Sequence, residues 1–298
     1  MMTLAWPRPG LAAKVLIVKA SEAEPYTQAE AAVRGPLTQH HDDVRTVVLN
    51  EVIDKGVAQV VGPADMVIAI GTPAARGLHN QLPANIKLVY CMVTNPEDAG
   101  LLQGPGAWGV TTEVTVADQF KLMAEALPNA RTVGLLYRSD TLEGKRHVEA
   151  ARAVLPGDWH LQAVAVNDTP SFAAAIDLLT QKKVDVIWTS PDPKLFDAAS
   201  VRALLLAGLR ARVPVWGFSP AFVRAGALLG VGVEPKAQGT QAAEIALAVL
   251  AGQACAKGFA QPPHEFNIAV NLIVAQQIGL ELPESLVRRA TYVYRPEN

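Results

Sequence analysis

Asp65-Met-Val-Ile-Ala-Ile-Gly-Thr-Pro-Ala-Ala75 runs from an apolar strand directly into a small polar loop that opens a helix. Two further stretches repeat this design, Leu88-Val-Tyr-Cys-Met-Val-Thr-Asn-Pro96 and Val184-Asp-Val-Ile-Trp-Thr-Ser-Pro-Asp-Pro193. Each places hydroxyls and backbone N–H groups at the carboxyl end of a buried strand, which is where small ligands bind in open α/β sheets. None of the three contains a recognisable nucleophile, base or metal cluster. The pattern therefore predicts a site that holds a ligand rather than one that reacts with it.

Strands and helices alternate along almost the whole chain, which is the pattern of βαβ units around a parallel sheet. The alternation occurs in two series with the same order of elements. In the first series we expect one helix over Glu51–Val61. A Gly-rich stretch, Gly100–Gly109, followed by Val110–Glu113 is interpreted as a crossover out of the first sheet. The last element expected is a helix over Pro283–Ala290. Two similar α/β lobes are predicted rather than one very wide sheet.

The composition excludes several classes of partner. The 298 residues are half apolar and carry a formal net charge of −2, which allows a sizeable core in one large or two medium domains. Without a charge excess, nucleic acid and anionic membranes are disfavoured. No apolar run approaches the roughly 18 residues of a transmembrane helix. We predict a soluble globular protein with no nucleic-acid partner and no direct membrane insertion.

The N-terminus and the two cysteines are open to more than one interpretation. Residues 1–13 lack the apolar stretch of a signal peptide, yet Gly10-Leu-Ala-Ala13 resembles the small-residue end of a cleavage site. The segment is either a disordered extension or the remnant of an export signal. We interpret Cys91 and Cys255 as small buried residues, while a single disulfide between them stays open.

Polar residues after the strands are the candidate ligand contacts. Thr72 occupies the expected N-cap of a helix and Pro73 its first position, so the amides of the first turn can bind a carboxylate. The alternative for Thr72 is simple capping. Thr94 and Asn95 repeat the arrangement one strand later, where Asn-Pro also suits an ordinary turn.

The third loop adds a negative charge. Two prolines frame Asp192, whose carboxylate can pair with an ammonium through a charge-assisted hydrogen bond. The alternative is that Asp192 caps the helix that follows. The remaining polar positions at strand ends are Ser21 with Glu22, Tyr137 with Ser139, Ser190, and Ser219 after Phe218.

Enzymatic chemistry has little support in the sequence. The six histidines show no metal-ligand spacing, and the nucleophile elbow Gly-x-Ser-x-Gly is absent. No Gly-x-Gly-x-x-Gly fingerprint follows a strand, which disfavours a dinucleotide cofactor. Cys91 lies inside an apolar strand, which favours a packed side chain over a reactive one. A racemase-like or isomerase-like enzyme that uses Cys91 with Thr94 is kept as the alternative to a binding protein.

Several motifs, in order and spacing, resemble one family: Val67–Ala75, Val93–Gly100, Leu127–Tyr137, Val184–Asp192, Val213–Ser219 and Asn271–Ala290. The chain resembles the ABC-transporter substrate-binding proteins with the type I periplasmic-binding-protein fold, in a branch that includes binders of aromatic amino acids. The resemblance extends from about Val15 to the last helix. A ligand-sensing regulatory domain is a further alternative, because the same fold serves repressors, although no helix-turn-helix precedes Val15.

The resemblance implies two Rossmann-like lobes with parallel sheets, joined by three crossover strands around a ligand cleft. Lobe 1 would contain residues 14–111 and 235–262, and lobe 2 would contain residues 112–234 and 263–298, after an extension of residues 1–13. By motif, Ser21, Thr72, Thr94 and Asn95 would face the ligand from lobe 1, and Tyr137, Asp192 and Ser219 from lobe 2. For an amino-acid ligand, Thr72 and Thr94 would bind the carboxylate and Asp192 the ammonium.

The resemblance also implies a setting. The expected protein is the solute-binding component of an uptake system that closes around a small polar metabolite, an amino acid or related carboxylate, without a cofactor. Its partner would be an ABC permease or a membrane sensor protein, in the periplasm or at the outer face of a membrane. The aromatic residues near strand ends are Tyr26, Trp188, Trp216 and Phe218.

Overall fold

The computed structural model describes residues 12–40, 42–102, 107–192, 194–253 and 259–296. The chain divides into two compact units, the first made of Met1–Glu113 and Val233–Glu265 and the second of Val114–Gly232 and Phe266–Asn298. No helix in these described ranges is both long and apolar enough to cross a membrane.

The first unit opens with alternating strands and helices. Its elements up to Glu113 are β1 (Lys14–Lys19), α1 (Glu24–Gln39), β2 (Asp43–Val48), α2 (Leu49–Lys55), α3 (Val57–Val61), β3 (Met66–Ile70), α4 (Thr72–His79), β4 (Lys87–Val93) and β5 (Ala107–Thr111).

The second unit continues the same alternation. Its elements up to Gly232 are α5 (Val116–Ala126), β6 (Thr132–Tyr137), α6 (Leu142–Val154), β7 (His160–Ala165), α7 (Phe172–Gln181), β8 (Val186–Trp188), α8 (Ala198–Ala211), β9 (Val215–Gly217), α9 (Pro220–Ala225) and β10 (Leu229–Gly232), with a short 3-10 turn at Val166–Asp168.

The C-terminal part returns to both units. It contributes α10 (Pro235–Leu250) and β11 (Phe259–Gln261) to the first, and β12 (Asn267–Asn271), α11 (Leu272–Ile278), α12 (Glu284–Arg289) and β13 (Tyr292–Tyr294) to the second.

Each unit is built on one mostly parallel sheet, as the alternation predicts. The first sheet has the order β11-β5-β4-β3-β1-β2, with all of these pairs parallel. The second has the order β13-β12-β10-β9-β8-β6-β7, in which β10 and β12 are antiparallel. Carboxyl ends of neighbouring parallel strands meet at one edge, so this topology brings the candidate residues of each unit together.

Alternate residues of β1 enter two cores on opposite faces of the first sheet. Leu16 and Val18 pack on one side, and Val15 and Ile17 on the other, where α1 and α10 lie. These two helices approach closely at Gly239: a Cβ there would lie 2.2 Å from a main-chain oxygen of α1. A larger residue at that position would therefore push the two helices apart.

Three predictions of local structure are wrong. The helix expected over Glu51–Val61 is divided at Gly56, whose φ of 84° ends α2 before α3 begins. The crossover expected over residues 100–113 is placed too early, because β5 starts at Ala107 and pairs with β4 in the first sheet; residues 103–106 lie outside the described residues. The last helix ends at Arg289 and is followed by β13.

Candidate functional site

The loops after β3, β4 and β5 are joined by threonine side chains. The backbone N–H of Thr94 donates to Thr72 Oγ1 at 3.2 Å, and Thr94 Oγ1 lies 3.3 Å from Thr112 Oγ1. We call Thr72, Thr94 and Thr112 the threonine ladder. The structure thus brings together two residues that the sequence singled out and adds a third that it did not.

Thr72 does not cap its helix, contrary to the prediction. Gly71 is the N-cap with φ 98°, Thr72 is the first helical residue and Pro73 the second. A Cβ on Gly71 would lie 3.0 Å from Ala20 Cβ and from the ring of Tyr26, so the turn requires glycine in both conformation and space. The Thr72 hydroxyl instead accepts from the Thr94 N–H in the loop after β4, at the positive end of the α4 dipole.

A β-bulge in β4 sets the position of Thr94. Pairing with β5 shifts register between Tyr90 and Val93, and Met92 adopts φ 55°. The buried amide of Gln238 satisfies the displaced backbone: its Oε1 accepts from Met92 N–H at 3.0 Å and its Nε2 donates to the Thr111 carbonyl at 2.7 Å. Gln238 lies far away in sequence, so no local pattern could identify it.

Other candidates in the first unit are engaged in local bonds. Asn95 Nδ2 donates to Asp98 Oδ2 at 2.7 Å, and the Asp98 N–H donates back to Asn95 Oδ1 at 3.3 Å, as in an ordinary turn. Ser21 Oγ accepts from the Ala23 N–H at 3.3 Å. These bonds hold the two loops in place.

Glu22 is held by Lys19, a residue that the sequence analysis did not single out. The Lys19 ammonium is buried at the end of β1, 2.6 Å from Glu22 and 3.0 Å from Glu30. Burial would lower the pKa of Lys19, but hydrogen bonds to the two carboxylates raise it above its usual value. The first loop therefore has its charges paired within the protein.

The second unit presents the ends of β6, β8 and β9 as neighbours. Tyr137 is the last residue of β6 and is half-buried. Ser190 follows β8 and is buried. Ser219 caps α9, because its Oγ accepts from the Phe222 N–H at 3.2 Å. In the same region Ser139 bonds through its N–H to Asn167 Oδ1 at 2.9 Å.

Asp192 does not cap the following helix. Helix α8 is capped by Asp197, which forms a capping box with Ser200. Asp192 is 5% exposed, and its Oδ1 accepts from the Lys194 N–H at 2.9 Å. Pro193, the second proline of the predicted frame, lies outside the described residues. The side-chain hydrogen bond of Asp192 to a described residue is made by Oδ1.

Arg138 stands near Asp192 and was missed by the sequence analysis. Its pKa is raised above the usual value mainly by a hydrogen bond to Asp140, with a smaller contribution from the charge of Asp192. Arg138 Nε lies 3.0 Å from Asp140 Oδ1, so the guanidinium charge is largely compensated by that residue. A lone arginine after a strand carries no pattern that distinguishes this role.

Two of the four aromatic candidates belong to the core. The indole N–H groups of Trp188 and Trp216 donate to one oxygen, Gln119 Oε1, at 2.9 and 3.2 Å, and both rings are buried. Phe218 is half-buried and packs against the core of the second unit beside Phe196, with ring centroids 5.8 Å apart. Aromatic surface thus accompanies the Asp192 loop without the tryptophans.

Cys91 is unsuited to nucleophilic chemistry. Its side chain is fully buried, and burial raises the pKa of the thiol to about 12, whereas reactive cysteines have lowered pKa values and partial exposure. Cys255 lies outside the described residues. Within the described ranges, no group of three or more histidine, cysteine or carboxylate side chains could hold a metal ion.

Comparison with known proteins gives one family. Residues 50–294 match the family model described as ABC transporter substrate binding protein. A tyrosine-binding protein of Clostridioides difficile strain R20291 is 24% identical over 195 residues, which are 63% of this chain and 55% of that protein. The chain therefore spans little more than half the length of this relative.

Two solved structures are similar over nearly the whole chain. A ligand-free, open substrate binding protein with adhesive properties from Clostridium difficile gives a TM-score of 0.75 at 20% identity, covering 96% of this chain and 100% of that one. An ABC domain from Streptococcus pneumonia in complex with L-Trp gives a TM-score of 0.60 at 22% identity, covering 94% and 100%. At these identities the similarity establishes the fold.

Proposed function

We propose a ligand, and the residues that hold it, from the premise that this chain belongs to the ABC transporter substrate binding protein family. The predicted fold class, two α/β units of the type I periplasmic-binding-protein architecture, is confirmed. The family consists of substrate-binding proteins, so the chain binds a small molecule as its primary task. Which molecule it binds is the proposal: an amino acid, with an aromatic one favoured.

The carboxylate of the ligand is assigned to the threonine ladder. The Thr72 hydroxyl lies at the start of α4, where first-turn N–H groups have no acceptor within the helix, and the Thr94 N–H donates to it. A helix N-terminus with hydroxyl donors suits a carboxylate. Pro73, the second residue of α4, keeps this turn rigid. Ser21 and Asn95 would border the same loops, and Glu22 would act through its ion pair with Lys19.

The ammonium is assigned to Asp192, and this residue carries the amino-acid proposal. A carboxylate that is 5% exposed loses much of its hydration and needs charged or hydrogen-bonding partners. Oδ1 accepts a hydrogen bond from a backbone N–H, and an ammonium bound to Oδ2 would give the second carboxylate oxygen a charged partner. The nearby guanidinium of Arg138 is paired with Asp140, which limits its repulsion of a cation. Ser190, directly before this loop, would add a hydroxyl.

The side chain of the ligand is assigned to the aromatic residues of the second unit. Phe218 and Phe196 are half-buried beside the Asp192 loop, and Tyr137 is half-buried at the end of β6. Offset and edge-to-face contacts with an aromatic ligand ring would be favourable here. The tyrosine-binding relative and the L-Trp complex support aromatic ligands. Ser219, next to Phe218, would border this surface while capping α9.

Binding would act by closure. A ligand with contacts in both units favours a closed state over an open one, and the closed form would dock on an ABC permease or a membrane sensor protein. This role requires a periplasmic or extracellular location at a membrane. No cofactor takes part.

A thermal-shift panel tests the ligand class. A ligand at 100 times its dissociation constant stabilises the protein by about 2.7 kcal/mol, which corresponds to a shift on the order of several degrees. We expect L-tyrosine and L-tryptophan to give that shift and pentoses and hexoses to give none. A response to sugars with none to amino acids would overturn the ligand class. A flat response to the whole panel would contradict the proposal.

A further inference from the structure

Helix α8 has more apolar surface than the core of the second unit covers. Leu204 and Leu205 are buried in that core, but Leu206 and Leu209 are 47% and 37% exposed. On the neighbouring helix α11, Ile273 is 37% exposed as well. Single exposed apolar side chains are common in proteins, whereas several close together mark a binding surface. The surface around α8 and α11 is therefore a candidate for a bound partner.

A groove of about 510 Å³ lies at this surface, entirely within the second unit. One side is a face of α8, and the rest is formed by Ala225 and Gly226 at the end of α9 and by Val274 and Gln277 of α11. Gly226 has φ 129°, and a Cβ built on it would lie 3.6 Å from Leu205 Cδ1. The absence of a side chain at this position leaves the space beside α8 open. Pockets that hold small organic ligands have volumes of about 300–1,000 Å³ and mostly apolar walls.

The groove is separate from the candidate amino-acid site. That site lies at the carboxyl ends of β6, β8 and β9, where Ser219 caps the first turn of α9. The groove is lined instead by the last residue of α9 and by the glycine that follows it. The described residues that line the groove do not include Tyr137, Asp192 or Ser219. A ligand in the groove would therefore not compete for these side chains.

The helices around the groove carry positive charge alone. Together α8, α9 and α11 contain Arg202, Arg210 and Arg224 and no aspartate or glutamate, in a chain whose formal net charge is −2. Arg202 lines the groove, and no ion pair joins it to a described residue. The N-cap Asp197 is engaged by the Ser200 N–H at 2.7 Å. A guanidinium is always charged, and its planar N–H groups match the geometry of a carboxylate.

We propose that this groove, which we call the α8 groove, binds a medium-chain carboxylate. Arg202 would hold the carboxylate, and the alkyl chain would lie along the apolar side chains of α8 and α11. Arg202 and Gln277 supply the polar side chains among the described lining residues, and the others are apolar. From Arg202 to Leu209 the helix axis extends about 10 Å at a rise of about 1.5 Å per residue, which suits an unbranched chain such as that of decanoate.

Methyl-resolved NMR of the full chain tests where such a ligand binds. Sodium decanoate, kept below the concentration at which it forms micelles, should cause saturable shifts of the Val201, Leu206, Leu209 and Val274 methyl signals. The methyl signals of Leu16, in the core of the first unit, are the internal control and should not move. Absence of saturable shifts, or shifts confined to other residues, would overturn the proposal. This readout does not require that the chain binds an amino acid.

Calorimetry tests the two parts of the ligand separately. Octanoate should bind about four- to fifteenfold more weakly than decanoate, because each of the two missing methylenes contributes about two- to fourfold to the affinity. Arg202→Gln should weaken decanoate binding about tenfold, since it removes a charge-assisted hydrogen bond. Arg210→Gln is the matched control, because Arg210 is exposed on the same helix and lies outside the lining. The control should bind within about twofold of the wild type.

Four further results would overturn the proposal. An equal loss of affinity in Arg202→Gln and Arg210→Gln would reduce the role of Arg202 to net charge. Equal affinity for decyltrimethylammonium, a cation with the same chain, would leave only an apolar surface. Binding to phosphatidylglycerol vesicles with none to free decanoate would make the α8 groove a membrane contact. A dimer in solution that Leu209→Ser dissociates would make it an interface between two copies of the chain.

Discussion

Replacing Asp192 by asparagine is expected to weaken the binding of an aromatic amino acid by about ten- to a hundredfold while leaving the fold intact. Asparagine has nearly the same size and keeps an oxygen at Oδ1, so it can still accept the Lys194 N–H that Asp192 accepts at 2.9 Å. The change therefore removes the negative charge and retains the turn. Because the site is 5% exposed, water replaces little of the lost interaction.

The magnitude follows from the type of hydrogen bond. A bond to a charged group contributes about 1.5–3 kcal/mol, against about 1 kcal/mol for a neutral pair. In the variant the ligand ammonium would face a neutral carbonyl in a largely dehydrated loop, which also leaves the ammonium without a counter-charge. A loss of about 1.4–2.8 kcal/mol corresponds to the ten- to hundredfold range.

Isothermal titration calorimetry with L-tyrosine and L-tryptophan provides the assay, with Asp197→Asn as the matched control. Asp197 is exposed and caps α8, a role that asparagine performs equally well. Both variants change the net charge by the same amount, so long-range effects are equal. The control should bind as the wild type does. Wild-type affinity in Asp192→Asn, with an unchanged urea-unfolding midpoint, would refute the assignment of the ammonium.

Further predictions concern the thiol, helix packing and acid stability. With Cys255 replaced, Cys91 in the folded protein should react with an aromatic disulfide reagent on the order of a thousandfold more slowly than a free thiol at about pH 8. In the unfolded protein it should react at the rate of a free thiol. Fast reaction of the folded protein would contradict the burial of Cys91. Gly239→Ala should lower the free energy of unfolding by about 1–3 kcal/mol. The control Gly35→Ala, at a position in α1 with open space around it, should raise the free energy of unfolding by about 0.5–1 kcal/mol. Urea titrations that find the same effect for both variants would refute the close approach of α1 and α10. Burial alone would raise the pKa of Glu30, but hydrogen bonds from Lys19 and others hold this pKa below its ordinary 4.5. The ionised carboxylate therefore stabilises the fold fully above pH 4.5, and this stabilisation is lost as the pH falls through the lowered pKa of the folded state. Between about pH 6 and about pH 3.5 the free energy of unfolding should therefore fall less in Glu30→Gln than in the wild type. An equal fall in both proteins would contradict the ion pair.

The alternating pattern was sufficient to predict two mostly parallel sheets, because a buried strand followed by a capped helix is a local signal. Short edge strands carry less of that signal. Phe259–Gln261 and Tyr292–Tyr294 are three residues each and are strands through pairing with β5 and β12, which the sequence does not display. The helix expected over Glu51–Val61 is divided by the positive φ of Gly56, and the presence of a single glycine in the sequence does not predict such a φ.

The loops that carry the candidate residues could be predicted from the sequence, but the hydrogen bonds that these residues make could not. Thr72 was expected at an N-cap, yet its hydroxyl accepts from Thr94, in the loop after the neighbouring strand β4. Trp188 and Trp216 follow the strand pattern in sequence, and only tertiary structure places them against Gln119. Long-range partners such as Gln238 have no local signature, because their role depends on a bulge in a distant strand.

The most direct test of the central claim, that the chain holds an amino acid by both its charged groups, is a calorimetric comparison of three compounds. L-tyrosine has both groups, tyramine lacks the carboxylate and 3-(4-hydroxyphenyl)propionate lacks the ammonium. We predict that each deletion weakens binding at least about tenfold, since each removes a charge-assisted hydrogen bond. In Thr72→Val the affinity for L-tyrosine should exceed that for tyramine by less than in the wild type. In Asp192→Asn the affinity for L-tyrosine should exceed that for 3-(4-hydroxyphenyl)propionate by less than in the wild type. Equal affinities for all three compounds would contradict the account.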